Sequence, residues 1–371
     1  MTTDQPSTNS LKPVKILSET DASPMTVSNV GLHYVEAGQP KSTSVPTMRP
    51  VYFDKIVVST VFETLPAFLA TSAPYNTLRN IARNAVFTAR NLRASSAKPV
   101  TFSTPVLDMR AIEPHNIAHL LTDIIPYYLL AKAAVGSDIT LLLSRQVKGS
   151  FADLLTAFSI VPVTETRRIN GEIIKLRGTR GLSVFDLPET FDCRGINFAP
   201  HAYDAFNFPS TLNLEKIFLA RRAPRNLGNQ DEVEALAAGY GYKTIYPEDY
   251  TIAEQLGIGA HAKHVIAVHG AAISLLLMNK KIDSVIELFP PNVHHELFPA
   301  ALGEKVVRYE QIVPDFDPRI AHNGWQAILP FKSRNFSVNV TLLGRLLSEI
   351  HETVSGESKR ILLPLRIRSG L

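Results

Sequence analysis

The stretch KHVIAVHGAAISLLLMNKKIDSVIELFP, Lys263–Pro290, contains two strand-like apolar runs joined by a helix-like run. The first run ends at His269, small residues at positions 270–272 open the helix-like run, and Glu287 lies near the end of the second run. A strand that leads into a helix N-terminus presents unpaired backbone N–H groups to a phosphate, and small side chains allow close approach. The stretch therefore predicts an α/β fold with a nucleotide site at the junction.

Strand and helix patterns alternate throughout the second half of the chain. The predicted strands are Lys216–Ala220, Tyr242–Tyr246, His264–His269, Ser284–Phe289 and Lys305–Tyr309. The predicted helices between them are Asp231–Tyr240, Ile252–His261, Ala271–Asn279 and Val293–Leu302. This βαβ spacing indicates a parallel, Rossmann-like sheet. The sequence has no GxGxxG fingerprint, because Gly257 and Gly259 close a helix before a strand, which is the wrong order for that motif.

The first half of the chain is less regular and predicts a second α/β domain. Its predicted elements are a strand at Lys55–Ser59, helices at Asn76–Arg93 and His115–Ala134, a strand at Asp138–Ser144 and a β-hairpin at Asn170-Gly171. The segment Asp192–Pro209, rich in Phe, Pro and Asn, is the predicted linker between the domains. A late amphipathic helix is predicted at Val338–Val354.

These patterns divide the chain into four segments. We expect a mobile polar leader over residues 1–50 and an α/β domain over 51–205. A Rossmann-like nucleotide domain is expected over 210–335, and a helix with a basic tail over 336–371. The leader is rich in Ser, Thr and Pro and lacks the apolar core of a signal peptide.

Composition and charge exclude several classes of protein. The single cysteine, Cys193, excludes an intramolecular disulfide framework, so a reducing cytoplasm is the expected location. A formal charge of +4, from 38 basic and 34 acidic residues, is far from the excess typical of nucleic-acid-binding proteins. The most apolar stretches, Leu120–Val135 and Val265–Met278, fall short of the roughly 20 apolar residues that a membrane span needs.

Basic residues follow the first predicted strand of the second half, in KIFLARRAPRNLGNQDEV, Lys216–Val233. Arg221, Arg222 and Arg225 come directly after the strand, and Asn229 follows. Arginines at the carboxyl end of a strand lie where α/β sheets bind ligands, and their planar forks match phosphate geometry. The segment is thus a candidate phosphate site, and the alternative is a solvated basic loop.

A histidine and a carboxylate share one face of a predicted helix in HNIAHLLTDIIP, His115–Pro126. His119 and Asp123 are four residues apart, so the carboxylate can orient the imidazole or raise its basicity. Such a pair suits a group that must accept a proton. The alternative is a buried histidine with a local hydrogen bond.

The turn PEDYTIAEQ, Pro247–Gln255, leads into another predicted helix. Thr251 and Glu254 fit a capping box, which explains both residues without a ligand. Gln255 is left as a candidate for a ligand-binding loop.

Four segments of the chain resemble glycosyltransferase family 61. They are NIAHLLTDIIP, ARRAPRNLGNQDEV, PEDYTIAEQLGIGAHAKHVIAVHGAAISLLLM and SVIELFP, which follow in that order between Asn116 and Pro290. Two positions depart from the usual pattern of the family. Ala220 stands where a serine is usual, and Ala272 where a glycine is usual.

The resemblance implies a fold, a reaction and a set of residues. The fold is GT-B, in which two Rossmann-like domains face each other across a cleft and the C-terminal one, with a parallel sheet, holds the nucleotide sugar. The reaction is an inverting transfer from a UDP-sugar without a metal or other cofactor. The implied catalytic residues are His119, as base, and Asp123. The implied donor-binding residues are Arg221, Arg225, Asn229, Gln255, His269, Gly270, Ala271, Ala272 and Glu287.

Within this set the implied contacts differ. Arg221 and Arg225 would bind the diphosphate, His269 would line the pocket, and Glu287 would accept hydrogen bonds from ribose hydroxyls. The expected acceptor is a surface glycan or glycolipid, with no nucleic acid involved. Two alternatives remain open, namely a nucleotide-sugar epimerase or hydrolase of the same fold, and a non-catalytic nucleotide-binding scaffold.

Two further patterns carry alternatives. Asp315–Asp317 form a DxD motif, which binds a metal in GT-A enzymes. In this chain the motif follows the last predicted strand, so we expect no metal site there. Arginines on one face of the predicted helix Asn76–Arg93 form either a solvated face or a contact with anionic lipid at the inner membrane face or with a phosphate-bearing acceptor. These arginines are Arg79, Arg83, Arg90 and Arg93.

Overall fold

The computed structural model of the chain describes its residues in segments. The described residues are 15–19, 29–36, 39–46, 53–60, 98–110, 112–135, 138–167, 169–178, 200–209, 212, 214–222, 226–291, 293–294, 297–314, 322–323 and 335–354. The predicted helix Asn76–Arg93 with its arginines, Arg225 and the Asp315–Asp317 motif lie outside them.

The strands are numbered in chain order. They are β1 (Lys15–Glu19), β2 (Asn29–Glu36), β3 (Gln39–Pro46), β4 (Phe53–Thr60), β5 (Val100–Thr101), β6 (Val106–Asp108), β7 (Thr140–Leu143), β8 (Val163–Thr164), β9 (Ile169–Asn170), β10 (Glu172–Gly178), β11 (Lys216–Leu219), β12 (Lys243–Ile245), β13 (His264–Val268), β14 (Ile282–Leu288), β15 (Val293–His294), β16 (Val306–Val313) and β17 (His322–Asn323).

The helices are numbered in the same way. The α-helices are α1 (Ile117–His119), α2 (Ile125–Val135), α3 (Ser150–Ala157), α4 (Gln230–Gly239), α5 (Ile252–His261), α6 (Leu297–Leu302) and α7 (Val340–Val354). The 3₁₀ helices are Pro200–Tyr203, Pro247–Asp249, Ala271–Met278 and Gly303–Lys305. A π-helical turn, Leu120–Ile124, joins α1 to α2.

A parallel sheet forms the centre of the second half, as predicted. Its strand order is β12-β11-β13-β14-β16-β2-β3, and neighbouring strands from β12 to β2 run parallel. The strands β11, β13 and β14 are almost fully buried, which explains their nearly continuous apolar sequences. The mixed α/β prediction with a parallel C-terminal sheet is therefore confirmed.

The edge of this sheet differs from the prediction. Strands β2 and β3, which lie within the expected mobile leader 1–50, form an antiparallel pair, and β2 runs beside β16. Strand β1, also within that leader, pairs with β4 in the other sheet. In β2 the apolar residues Val30, Leu32 and Tyr34 alternate, which is the period of a strand. The polar composition around them concealed this signal.

A second, mixed sheet lies in the first half, with the order β1-β4-β10-β6-β7-β8. Strands β10, β6, β7 and β8 run parallel, so the carboxyl ends of β6, β7 and β8 meet at one edge. The hairpin predicted at Asn170-Gly171 was wrong. Strand β9 pairs with β5 in a separate two-stranded sheet, while β10 pairs with β4 and β6, so Gly171 connects two sheets.

The helix predicted at His115–Ala134 is present, and Pro126 determines its local form. Proline has no N–H and crowds the carbonyl of the preceding turn, so a regular α-helix cannot continue through it. The chain widens instead into the π turn, in which the Ile125 N–H bonds to Leu120 O. The turn keeps Leu120 and the residues up to Ile124 buried.

Two other helical predictions need correction. The segment predicted as a helix at Ala271–Asn279 is a 3₁₀ helix, Ala271–Met278, and it packs very closely on α5. A Cβ at Gly259 would lie 2.2 Å from Leu275 O, so glycine is needed at this contact. The helix predicted at Val293–Leu302 is shorter than expected, because β15 occupies its first residues and pairs with β17.

The apolar residues form two main cores. The larger one lies between the sheets and includes residues of α2, the π turn, α5 and the 3₁₀ helix Ala271–Met278. The smaller one lies on the other face of the parallel sheet, where Leu343, Leu346 and Leu347 of α7 are buried. Within the described segments, no helix is both long enough and apolar enough to cross a bilayer.

Candidate functional site

The helix α1 begins at a capped N-terminus and carries the first of the predicted residues. Asn116 Oδ1 accepts a hydrogen bond from the Ala118 N–H at 2.9 Å. One turn further on, His119 Nδ1 lies 3.0 Å from Asp123 Oδ2. The Asp123 side chain is 1% exposed and that of His119 is 26% exposed, so a fixed carboxylate supports an imidazole that solvent can reach.

The surroundings of His119 favour a basic imidazole. Burial acts to lower its pKa, but the hydrogen bond and charge of Asp123, with the charge of Glu113, raise that pKa above the usual value for histidine. Because Nδ1 faces the carboxylate, Nε2 is the ring nitrogen that can exchange a proton with a ligand. The pair therefore has the geometry of a general base and the carboxylate that orients it.

A second imidazole and carboxylate meet at the end of β13. His269 Nδ1 lies 2.6 Å from Glu287 Oε1 on β14. Glu287 Oε2 accepts hydrogen bonds from Tyr309 Oη at 2.7 Å and from Gln311 Nε2 at 3.2 Å. The His269 ring also stacks on Phe289, with ring centroids 4.3 Å apart. These contacts fix the position of the His269 ring.

Glu287 has a different environment from the one we expected. Its side chain is 0% exposed, and protein groups bond both of its oxygens. Burial, with the charge and hydrogen bond of Glu287, raises the pKa of Tyr309 well above its usual value, so the phenol remains a donor. This arrangement orients His269 and offers no oxygen to ribose hydroxyls.

Arg221 follows β11 and lies against the loop that follows β13. A Cβ at Gly270 would lie 2.2 Å from Arg221 Nη1, so a larger residue at position 270 would displace the guanidinium. Burial lowers the pKa of Arg221, partly offset by the charge of Glu248, and arginine stays protonated in proteins. No hydrogen bond or salt bridge joins this guanidinium to any other residue in the described part of the chain. A half-buried guanidinium with unmet donors suits an anionic ligand.

The fold brings these two regions together. Helix α1 and the π turn, which carry His119 and Asp123, pack on the 3₁₀ helix that follows Gly270. Residues of both segments belong to one apolar core, which fixes their relative position. His119, in the first half of the chain, therefore lies on an element that packs against the 3₁₀ helix of the second half, and that helix begins beside Arg221.

Two of the predicted donor-binding residues bond to the protein backbone. Asn229 Nδ2 donates to Val338 O at 2.9 Å, and Asn229 Oδ1 accepts from the Val338 N–H at 3.0 Å. The buried Gln255 donates through Nε2 to Tyr250 O at 2.9 Å. Asn229 thus fastens the segment before α7, and Gln255 fastens the turn before α5.

The alanines that open the 3₁₀ helix are consistent with the loop geometry. Ala271 and Ala272 are half-buried and adopt helical backbone conformations. Among the described residues other than glycine, Ser159 is the one with a positive φ. The backbone at Ala272 therefore does not require the glycine that is usual in the resembled family.

Arg222 is engaged in contacts with neighbouring side chains. Its Nη2 lies 2.6 Å from Asp249 Oδ2, its Nη1 lies 3.2 Å from Glu248 Oε1, and its guanidinium lies 4.2 Å from the centroid of the Tyr246 ring. Arg221 and Arg222 are adjacent in sequence, yet Arg222 is held by two carboxylates at the surface, whereas Arg221 is half-buried beside Gly270. Arg221 is therefore a candidate ligand-binding residue, and Arg222 belongs to a surface ion pair.

The sequence analysis missed the residues that hold Glu287. Tyr309 and Gln311 are two residues apart on β16, so they face the same side, and the register pairs Gln311 with Glu287. The alternation of side chains along a strand predicts that Tyr309 and Gln311 share a face. It does not predict that β16 lies beside β14. In the described part of the chain, no group of three or more His, Cys, Asp or Glu side chains is placed to hold a metal ion.

Comparison with known families places the sequence in a defined group. The sequence model of the family described as Glycosyltransferase 61 matches residues 33–286. This range covers more than half of the chain and includes His119, Asp123, Arg221 and His269, and it ends one residue before Glu287. No curated protein matches the chain.

Proposed function

Because the chain belongs to glycosyltransferase family 61, we propose that it is an inverting enzyme that moves a sugar from a UDP-linked donor to a hydroxyl group. The family implies glycosyltransferase activity, with a nucleotide-sugar donor and a glycan acceptor in general. The proposal adds the nucleotide, the stereochemical course and an acceptor that is a surface glycan or glycolipid.

One observation carries the proposal. A basic imidazole, His119, lies on an element packed against the 3₁₀ helix Ala271–Met278, and the partly buried Arg221 lies beside Gly270 at the start of that helix. A single displacement with inversion needs a base on one side of the sugar and positive charge beside the leaving diphosphate on the other. These two residues supply the two requirements from opposite halves of the chain.

In the proposed reaction the acceptor hydroxyl gives its proton to His119 Nε2. The acceptor oxygen forms a bond to the anomeric carbon as the bond from that carbon to the diphosphate oxygen breaks, which releases UDP. Asp123 stabilises the imidazolium that forms, through its bond to Nδ1. Arg221 and the backbone N–H groups that follow Gly270 stabilise the negative charge of the departing diphosphate.

The remaining parts of the proposal concern architecture and location. We infer a GT-B arrangement, in which the first sheet serves the acceptor and the parallel sheet serves the donor. A reaction without a catalytic metal is part of the proposal, since the cationic groups beside the diphosphate come from the protein. The proposed location is the cytoplasm, because the single Cys193 requires no oxidising compartment.

The first test is a thermal-shift panel of UDP, GDP, CDP and CMP with full-length protein. A ligand that binds the folded state raises the unfolding midpoint with its concentration and affinity, so UDP is expected to give the largest shift. Arg221→Ala should weaken UDP binding about tenfold or more, because a charge-assisted contact is lost. The matched control is Arg222→Ala, whose guanidinium is held by Asp249 and which should keep UDP affinity.

The same variants separate binding from chemistry. His119→Ala should reduce transfer by about 10²–10⁴-fold, the usual contribution of a general base, while the shift with UDP remains. Equal transfer by the wild type and His119→Ala would remove His119 from the role of base. If UDP raised the unfolding midpoint no more than CMP does, the proposal of a UDP-linked donor would be contradicted.

A further inference from the structure

Charged side chains outside the two imidazole–carboxylate pairs meet at the edge of the first sheet. Glu113 follows β6 and Arg145 follows β7, and these parallel neighbours end at the same edge. Glu113 Oε1 accepts hydrogen bonds from the His115 backbone N–H at 3.2 Å and from its Nδ1 at 3.1 Å. Glu113 Oε2 lies 3.3 Å from Arg145 Nη1. We refer to Glu113, His115 and Arg145 as the edge cluster.

The edge cluster is open to a ligand. The side chains of Glu113, His115 and Arg145 are 42%, 36% and 51% exposed. The contact between Glu113 and Arg145 is longer than the usual distance of about 2.7–2.9 Å for charged partners. Both groups therefore have room for additional hydrogen bonds. Phe151 stands edge-on to the His115 ring, with centroids 5.8 Å apart, and adds an apolar border.

The cluster lies beside the proposed base. His115 directly precedes Asn116, the residue that caps α1, and His119 follows one turn later. Burial lowers and Asp123 raises the pKa of His119, and the nearby charge of Glu113 adds to the increase. A ligand that touches Glu113 is thus within the electrostatic surroundings of the imidazole. Parallel strands present ligand-binding residues at their carboxyl edge, which is where the cluster is found.

We propose that the edge cluster is the acceptor subsite, where it binds two neighbouring hydroxyl groups of a neutral sugar beside His119. This inference rests on the proposed function. A carboxylate only accepts hydrogen bonds and a guanidinium only donates them, so Glu113 and Arg145 together match the donor and acceptor character of a diol. Exposed charged groups suit this role, because they can exchange water for hydroxyl groups.

The charge distribution favours a neutral acceptor over an anionic one. A phosphate or carboxylate placed at the cluster would meet the negative charge of Glu113, with the buried Asp123 nearby. The positive charge of Arg145 is already balanced in part by Glu113. Like charges at close range repel, so an anionic acceptor would bind less tightly than a neutral one even if both made the same hydrogen bonds.

The test measures transfer from UDP-sugars to two sets of probe acceptors with full-length protein. The neutral probes are methyl glucoside, methyl galactoside and methyl mannoside, and the anionic probes are methyl glucuronide and mannose 6-phosphate. Glu113→Gln should raise the KM for a neutral acceptor about tenfold or more, because a hydrogen bond to a charged group is lost. UDP affinity and the unfolding midpoint should stay unchanged. Arg145→Gln is the second variant, with the same expected rise in KM.

Glu165→Gln is the matched control. Glu165 directly follows β8 of the same sheet and also pairs with an arginine, with its Oε2 2.7 Å from Arg167 Nη2. Its substitution should leave the acceptor KM unchanged. Discrimination against anionic probes should fall in Glu113→Gln and persist in Glu165→Gln.

The outcomes separate this inference from the proposed function. Transfer with an unchanged acceptor KM in Glu113→Gln, or a wild-type preference for anionic probes, would overturn the acceptor subsite alone. UDP binding without transfer to any neutral probe would also overturn it. Absence of both UDP binding and transfer in the wild type would overturn the proposed function, and the subsite with it.

Discussion

The pKa of His119 depends strongly on one buried carboxylate in the next turn of the helix. Burial lowers this pKa and Asp123 raises it, so removal of the negative charge leaves burial as the larger influence. We therefore expect Asp123→Asn to lower the pKa of His119, as measured from its imidazole Hε1 signal in an NMR titration. His119→Gln removes that signal and so identifies it among the 11 histidines. An unchanged pKa in Asp123→Asn would contradict the contact.

The same pair makes folding stability depend on pH in a defined direction. The folded-state pKa of His119 is raised above its unfolded value of about 6.5. Its contribution to stability is fully present below the unfolded pKa and is lost as the pH rises through the folded pKa. The free energy of unfolding lost in Asp123→Asn should therefore be larger at about pH 5.5 than at about pH 8.5. In a His119→Gln background this difference should disappear.

Individual residues differ in how far the sequence revealed them. The contact between His119 and Asp123 follows from a spacing of four on a helix, and the structure has it. The environment of Glu287 could not be predicted, because Tyr309 and Gln311 reach it from a strand that is distant in sequence. Exposure decides whether a carboxylate at a strand end meets a ligand, and exposure is a property of the fold.

At the scale of elements, the π turn leaves a carbonyl that the helix itself cannot satisfy. The Ile125 N–H bonds to Leu120 O, and Pro126 has no N–H, so Leu121 O has no helical partner at either position. Tyr203 Oη donates to Leu121 O at 2.7 Å from the 3₁₀ helix Pro200–Tyr203. Burial, with the charge of Asp123, raises the pKa of Tyr203 well above its usual value, so the hydroxyl remains a donor.

We expect Tyr203→Phe to loosen the element that carries the proposed base. A buried carbonyl without a partner costs about 1–3 kcal/mol, so the free energy of unfolding in urea should fall by this amount. Transfer should fall as well, because the π turn then loses its outer support. Tyr240→Phe is the control, since it removes the 2.6 Å contact with Ser348 Oγ on α7 and should leave transfer unchanged. Equal transfer by the two variants would contradict this role of Tyr203.

Periodicity predicted most elements of the second half, but not their exact form. The helix after Gly270 was predicted from its apolar residues, yet it is a 3₁₀ helix that packs on α5 through Gly259. The strand β15 was hidden inside a predicted helix, because its pairing partner β17 lies far along the chain. Close approach and distant pairing both act between elements, so a local pattern does not contain them.

At the scale of the whole molecule, the C-terminal helix is held by several contacts, and one of them lies just before α7 at Asn229. Asn229 bonds to the backbone of Val338 through both its Nδ2 and its Oδ1, and the Gly228 N–H bonds to Phe336 O at 2.7 Å. The apolar face of α7 then covers the smaller core. The predicted effect of this attachment is on stability, because Asn229 bonds to the backbone before α7 and to neither proposed site residue.

We expect Asn229→Ala to loosen the N-terminal end of α7 without removing the proposed site. The loss of two hydrogen bonds in a part-buried position should cost about 1–3 kcal/mol of unfolding free energy. Hydrogen exchange of the amides in α7 should accelerate, while exchange in the π turn stays at the wild-type rate. Asn226→Ala is the control, because the contact of Asn226 Nδ2 with Leu227 O is long, at 3.5 Å. Equal acceleration in both variants would argue against the Asn229 attachment.

The sequence by itself determined the α/β class, the parallel sheet, the helical pair of His119 and Asp123 and the resemblance to glycosyltransferase family 61. These depend on periodicity, spacing and short motifs, which are local properties of the chain. Only the tertiary structure decided that β2 and β3 extend the parallel sheet, that Glu287 bonds to His269, and that Asp249 holds Arg222 rather than Arg221. The reason is physical, because strand neighbours, burial and hydrogen-bond partners are set by contacts between segments distant in sequence.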